Sequence, residues 1–160
     1  MRPLIIEVPS PLGLRPSGVE LAPEVLRAAG LHALLGCDDA QHVAVPPYDG
    51  RRDRATGVLN PDGIAEVARS LAGVTESALQ ANRLPVVLGG DCSIVLGPLL
   101  ALRRRGRYGW DEAAQLLQGL LSAPGACGLD VTIFNPNLDP DRSIARQLCE
   151  LIGRCVPTAG

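Results

Sequence analysis

Leu84-Pro85-Val86-Val87-Leu88-Gly89-Gly90-Asp91-Cys92-Ser93 is an aliphatic run that breaks into paired glycines and then presents two reactive side chains. The uninterrupted apolar stretch suits a parallel strand covered on both faces, and the glycines let the backbone turn without a Cβ clash. Asp91 and Cys92 then sit at the strand's carboxyl end, with Ser93 placed to cap the helix that follows. In open α/β sheets that edge is where ligands bind, beside helix N-termini whose free N–H groups attract anions. The same residues would equally serve as a plain strand-to-helix turn with an inert thiol.

Outward from this turn, strands alternate with helices. Leu4–Val8 reads as a first strand, and a Pro/Gly loop leads to a helix over Val19–Ala29 that Ser17 would cap. His42–Val45 is a second short strand ended by Pro46-Pro47, and Arg51–Thr56 is a polar exposed loop. Asn60 caps and Pro61 opens a helix reaching Asn82, with Ile64, Val67, Ala68, Leu71, Val74, Ala78 and Leu79 on its apolar face. Pro85–Leu88 is the third strand. The next helix, Ser93–Arg105, closes on Arg103-Arg104-Arg105-Gly106, cations at the negative end of its dipole with glycine beyond. The strand that the series then requires is missing. Trp110–Ser122 is another amphipathic helix instead, with Leu116, Leu117, Leu120 and Leu121 on one side. Leu129–Phe134 reads as the last strand, and Asp139-Pro140 starts a terminal helix to Cys155. The expected fold class is α/β: a three-layer α/β/α sandwich around a small, mostly parallel sheet of about four strands, in one domain over residues 1–160.

Composition excludes several functions. The chain has 160 residues, and a chain of this size buries about 70% of its unfolded surface, enough for a core. One Trp, two Tyr and one Phe leave that core to aliphatic residues. All 15 cations are Arg, and the net charge of −2 argues against a nucleic-acid partner, which calls for a basic face. Five cysteines, Cys37, Cys92, Cys127, Cys149 and Cys155, are an odd number without a CxxC pair, so neither a disulfide framework nor a structural zinc site is expected. An acid and a proline interrupt the apolar start, Met1-Arg2-Pro3-Leu4-Ile5-Ile6-Glu7, which spoils a signal peptide, and no run reaches membrane-spanning length. The expectation is a cytoplasmic protein without a membrane partner.

Three stretches, in chain order, resemble the arginase, agmatinase and formiminoglutamase family of ureohydrolases. Gly18-Val19-Glu20-Leu21-Ala22-Pro23, followed by Leu26-Arg27-Ala28-Ala29-Gly30-Leu31, is similar to the family's opening Gly-Val-(Glu)-x-(Ala/Gly)-Pro-x-x-Leu-Arg segment. Gly89-Gly90-Asp91-Cys92-Ser93 is similar to its Gly-Gly-Asp-His-Ser motif. Gly128-Leu129-Asp130-Val131-Thr132-Ile133-Phe134-Asn135-Pro136 resembles its last strand, Gly-Leu-Asp-x-x-Glu-x-Asn-Pro. The resemblance implies hydrolysis of a guanidino or related C–N group by water bridging two manganese ions. Cys92 stands at the position of the first metal ligand, the histidine of the motif, with Asp91 beside it as a supporting residue, and a thiolate is a softer ligand than manganese prefers. Ile133 replaces the glutamate that holds the guanidinium, and an apolar side chain cannot pair with that cation.

The family's remaining ligands come from Asp-x-His-x-Asp and Asp-x-Asp-x-x-Asp-Pro motifs, and neither occurs here. Asp130 and Asp139-Pro140-Asp141 have the wrong spacing, and the two histidines, His32 and His42, read as structural or solvated. The break falls near residues 109–110. Arg107-Tyr108-Gly109 looks like the lead-in to the metal-bearing strand, whereas Trp110-Asp111-Glu112-Ala113 looks like the helix before the family's last strand.

Removing the intervening strands would leave the last strand parallel and adjacent to the third, with an open apolar edge that invites pairing into a homo-oligomer unless a helix such as Trp110–Ser122 shields it. Two functions of different classes follow. One is a truncated, non-catalytic ureohydrolase relative whose surviving role is association or none, with manganese absent or weak. The other is a manganese-dependent C–N hydrolase whose metal lies near Asp91 and Cys92. A third makes Cys92 a nucleophile at a helix N-terminus, and it lacks an identifiable histidine partner.

Overall fold

The computed structural model describes all residues except Met1, Asp38, Arg107, Tyr108, Cys127, Gly128, Asp130, residues 132–135 and residues 157–160. They form two compact units, Met1–Arg104 and Arg105–Gly160, which divide a few residues before the break in the family pattern.

The first unit is α/β. Its strands are β1 (Arg2–Val8), β2 (Ala40–His42) and β3 (Arg83–Gly89), in the order β2-β1-β3 with both pairs parallel. β1 is the middle strand, as its run of buried residues from Leu4 to Val8 requires. Its register places Ile5 beside Ala40 and Val86, and Glu7 beside His42 and Leu88. Alternation then sorts the side chains. Leu4, Ile6 and Val8 join Leu12, Val43, Val67, Leu71 and Ala78 in one core under α3 (Pro61–Gln80). Ile5 and Glu7 turn to the opposite face, that of α1 (Ala22–Ala28) and α2 (Leu31–Leu34). The last helix of the unit, α4 (Leu96–Arg104), packs on α3 so closely that a Cβ on Gly97 would lie 2.6 Å from Leu71 Cγ.

Several boundaries move from expectation for local reasons. The helix expected over Val19–Ala29 begins as a 3-10 turn, Val19–Leu21, and becomes α-helical at Ala22, with Pro23 in its first turn. Ser17 is not its cap. The Glu20 carboxylate reaches back and accepts the N–H groups of Ser17 and Gly18 at 3.4 and 3.1 Å. Asn60 precedes α3 with φ of 45° and makes no cap bond, because its side chain is drawn into the neighbouring loops. Its Oδ1 accepts Asp49 N–H, and its Nδ2 donates to Leu12 O. β2 ends at His42, three residues before the expected Val45, although Val43 N–H still bonds Glu7 O at 2.9 Å.

The sheet has three strands among the described residues, one fewer than expected. Of the proposed fourth strand, Leu129–Phe134, only Leu129 and Val131 are described; both are exposed and outside any strand, and the remainder lies outside the described residues.

The second unit is a helix pair, α5 (Trp110–Leu121) and α6 (Ser143–Cys155), closed around Ala114, Leu151 and Cys155 with Ala113, Leu117, Leu121 and Leu148. Leu116 and Leu120, expected on the same face as Leu117 and Leu121, are exposed, because the contact runs along the Ala113–Leu117–Leu121 line at four-residue spacing. Asp139-Pro140 stands just before α6. Asp139 is buried and accepts the N–H groups of Ile144 and Ala145 at 3.1 and 2.8 Å, which satisfies the helix start four residues further on.

Candidate functional site

The Gly-Gly turn opens where expected, at the carboxyl edge of the sheet after β3. Gly90 is there because backbone comes too near for any other residue, since a Cβ would run into the Ser10 carbonyl. Asp91 N–H donates to that same carbonyl at 2.8 Å, and Gly90 N–H donates to Val8 O at 3.2 Å, so the exits of β1 and β3 are joined by backbone.

Asp91 completes the joint. It is 3% exposed. Its Oδ1 accepts Ser93 N–H at 2.7 Å, and its Oδ2 accepts Gly13 N–H at 3.1 Å and the Ser10 hydroxyl at 3.4 Å. Asp91, rather than Ser93, is therefore the N-cap of the following 3-10 turn, Cys92–Val95. Cys92 is exposed, one residue beyond this knot.

The two histidines gather elsewhere, around a residue that sequence reasoning did not single out. Glu7 is 1% exposed at the end of β1, on the α1 face. Arg27 of α1 binds it bidentately, Nε to Oε1 at 3.0 Å and Nη2 to Oε2 at 2.6 Å. His42 Nδ1 of β2 stands 3.0 Å from Oε2, and His32 Nε2 of α2 stands 3.5 Å from Oε1 without a hydrogen bond. His42 is mostly solvent-exposed and His32 mostly covered. The available signal was an acid at the end of an otherwise aliphatic strand, which demands partners.

An open cleft of about 610 Å³ lies at neither place. It runs beside the N-terminus of α3, lined by Pro46, Asp49, Arg51, Arg54, Asp62 and Glu66 among others. Its charges are of both signs and partly self-paired: the Arg51 guanidinium, 2.8 Å from Asp49, holds that carboxyl below its ordinary range.

The chain belongs to the arginase family, whose model matches residues 3–110. The match ends where Arg107-Tyr108-Gly109 gives way to Trp110, so the third resembling stretch, Gly128–Pro136, lies beyond it. An arginase of Staphylococcus aureus is 35% identical over 107 residues, covering 62% of this chain and 35% of its own. Human arginase-1 is 33% identical over 99 residues, covering 59% and 31% respectively. Among solved structures, arginase from Bacillus caldovelox aligns with a TM-score of 0.57 at 29% identity, over 66% of this chain and 38% of that one. Bacillus subtilis arginase aligns with a TM-score of 0.52 at 24% identity over 66% and 36%, a likeness of fold alone. The chain spans about a third of the length of the curated relatives it matches.

Manganese is the metal this resemblance implies, and the residues around Cys92 do not fit it. The Asp91 carboxylate is already committed to three donors, and the thiol is a soft ligand. Among the described residues no three His, Cys, Asp or Glu side chains form a group that could hold a metal ion.

Proposed function

We propose that this chain, as its sequence stands, is a non-catalytic member of the arginase family whose role is association rather than hydrolysis. One observation carries the reading. Where the family motif places its first metal-binding histidine, this chain has a lone exposed thiol, and the adjacent carboxylate is spent on tying two loops together. A binuclear manganese centre needs several carboxylates and imidazoles converging on one point. The two imidazoles instead flank Glu7, whose carboxylate is filled by Arg27.

Elemental analysis of the purified chain, paired with a urea-release assay on arginine and agmatine, tests this. The expected result is less than one tightly bound manganese per chain and no urea above a Cys92→Ala control. Stoichiometric manganese, or urea release that Cys92→Ala abolishes, would establish the other reading, a C–N hydrolase with its metal near Asp91 and Cys92.

A further inference from the structure

We infer that Asp49-Gly50 is a self-modification site, at which the Gly50 amide nitrogen attacks the Asp49 carboxyl and turns the residue into isoaspartate, and that Arg51 restrains the reaction. The site is independent of metal binding, so it stands whichever way the manganese assay falls.

The chain contains two Asp-Gly pairs, Asp49-Gly50 and Asp62-Gly63. Glycine after an aspartate leaves its amide nitrogen unshielded by a Cβ and lets the backbone bring nitrogen and carboxyl together. The two pairs stand in opposite circumstances. Asp62-Gly63 lies in the first turn of α3, where helical dihedrals are fixed. A Cβ on Gly63 would be 3.1 Å from Pro46 Cγ and 3.2 Å from Leu12 Cδ1, so its backbone is packed in on that side. Asp49 and Gly50, by contrast, are exposed and belong to no helix or strand, and a Cβ on Gly50 would meet the Tyr48 ring at an ordinary 3.8 Å. The Asp49 side chain is also folded back along its own chain, since its Oδ1 accepts the Arg51 N–H at 2.9 Å. This Asx turn wraps the carboxyl around the Gly50 peptide.

Water is the sole co-reactant. The Gly50 nitrogen bonds to Asp49 Cγ and gives up its proton, the carboxyl gives up its hydroxyl, and the two leave as water from a cyclic imide. Water then opens the ring. Addition at the main-chain carbonyl carbon leaves Gly50 joined to the Asp49 side chain, and the backbone runs through an extra methylene. That methylene falls next to an anchor: Asp49 N–H donates to Asn60 Oδ1 at 2.7 Å, and Asn60 Nδ2 donates to Leu12 O at 2.9 Å. Isoaspartate at position 49 would loosen one wall of the open cleft.

The carboxyl is an electrophile only as the neutral acid, because the ionised form has no hydroxyl to lose. Arg51 opposes that form. Its Nε lies 3.2 and 3.0 Å from Oδ1 and Oδ2, and its Nη2 lies 2.8 Å from Oδ2. Paired in this way the Asp49 carboxyl stays below its ordinary range, and at any pH above that range the neutral fraction shrinks accordingly.

The test is peptide mapping by mass spectrometry, with fragmentation that separates the two linkages, on the full chain stored at physiological temperature and mildly acidic pH. Arg51→Met and Gly50→Ala are stored beside it. Arg51 is 90% exposed, so its loss leaves the fold intact. The expected result is isoaspartate at position 49 forming several-fold faster in Arg51→Met than in the parent, none in Gly50→Ala, and none at Asp62 in any of the three. High ionic strength, which screens the same pair without a substitution, should speed the parent in the same direction. No isoaspartate at position 49 in Arg51→Met overturns the proposal. So do equal rates in Arg51→Met and the parent, or isoaspartate at Asp62 keeping pace with Asp49.

Discussion

Replacing Asp91 with alanine separates a structural carboxylate from a ligating one. The substitution strips an acceptor from three donors, the Ser93 N–H, the Gly13 N–H and the Ser10 hydroxyl. Loss of an N-cap costs about 1 kcal/mol, and hydrogen bonds to a charged acceptor are worth roughly 1.5–3 kcal/mol each, but the three share one carboxylate and are not additive. The Ser10 bond is long at 3.4 Å and contributes least. A total of about 3 kcal/mol follows, equivalent to a fall in Tm of roughly 12–24 °C for a unit of this size. Urea or thermal unfolding followed by circular dichroism reads it, with Cys92→Ala as the control, expected within about 0.5 kcal/mol of the parent because its side chain is exposed. A loss below about 1 kcal/mol for Asp91→Ala would refute the assignment of this carboxylate as a structural tie.

Two further outcomes can be checked in the same way. Arg27→Met leaves the Glu7 carboxylate buried with two imidazoles beside it; a fully buried pair loses about 3–5 kcal/mol when one partner goes, and because half of the Arg27 side chain is in water the expected loss is about 2 kcal/mol. Lysine at position 27 should recover little of it, since one ammonium cannot reproduce the two parallel bonds. At the opposite end of the sheet, Arg83 hydrogen-bonds Asp39 and lowers its pKa from the ordinary 3.8. A lowered carboxylate contributes stability above 3.8 that is lost as pH falls through its folded value, so an acid series from about pH 5 to about pH 2 should show a shallower decline for Asp39→Asn than for the parent.

The parts of the fold legible in the sequence were those written in periodicity and turn chemistry. The aliphatic runs of β1 and β3 and the helical spacing of Val67, Leu71 and Ala78 in α3 have one physical interpretation each, and the structure forms them all. The Gly-Gly turn was legible because only glycine tolerates the approach of the Ser10 carbonyl. Capping was harder to read, because a cap is a competition. Ser17, Asn60 and Ser93 all have suitable side chains, and in each case a neighbouring group, Glu20, the loops at Leu12 and Asp49, or Asp91, makes the decisive hydrogen bond instead. The Glu7 cluster left one sign, an acid closing an aliphatic strand, and no spacing that names its partners, since these lie on three other elements, two of them helices, and only His42 meets it through the parallel register. The reactive turn was located correctly, yet its aspartate is spent on architecture, and spacing alone does not reveal how many donors a carboxylate will meet.

Glu7 gathers side chains of three separate elements around one carboxylate, and this bears on how the first unit opens. From Ala22 to His42, the described residues include only two that are buried, Pro23 and Cys37, so α1, α2 and β2 have little apolar surface of their own holding them down. β2 is held by its short ladder to β1, α1 by the two Arg27 bonds to Glu7, and His32 and His42 lie against the same two carboxylate oxygen atoms. Such a segment should come away as one cooperative piece rather than fray helix by helix, below the free energy needed to part α3 from β1. In amide hydrogen exchange the protons of α1, α2 and β2 would then share a single opening event, and a change at Glu7 would speed them together while the amides of α3 kept their pace.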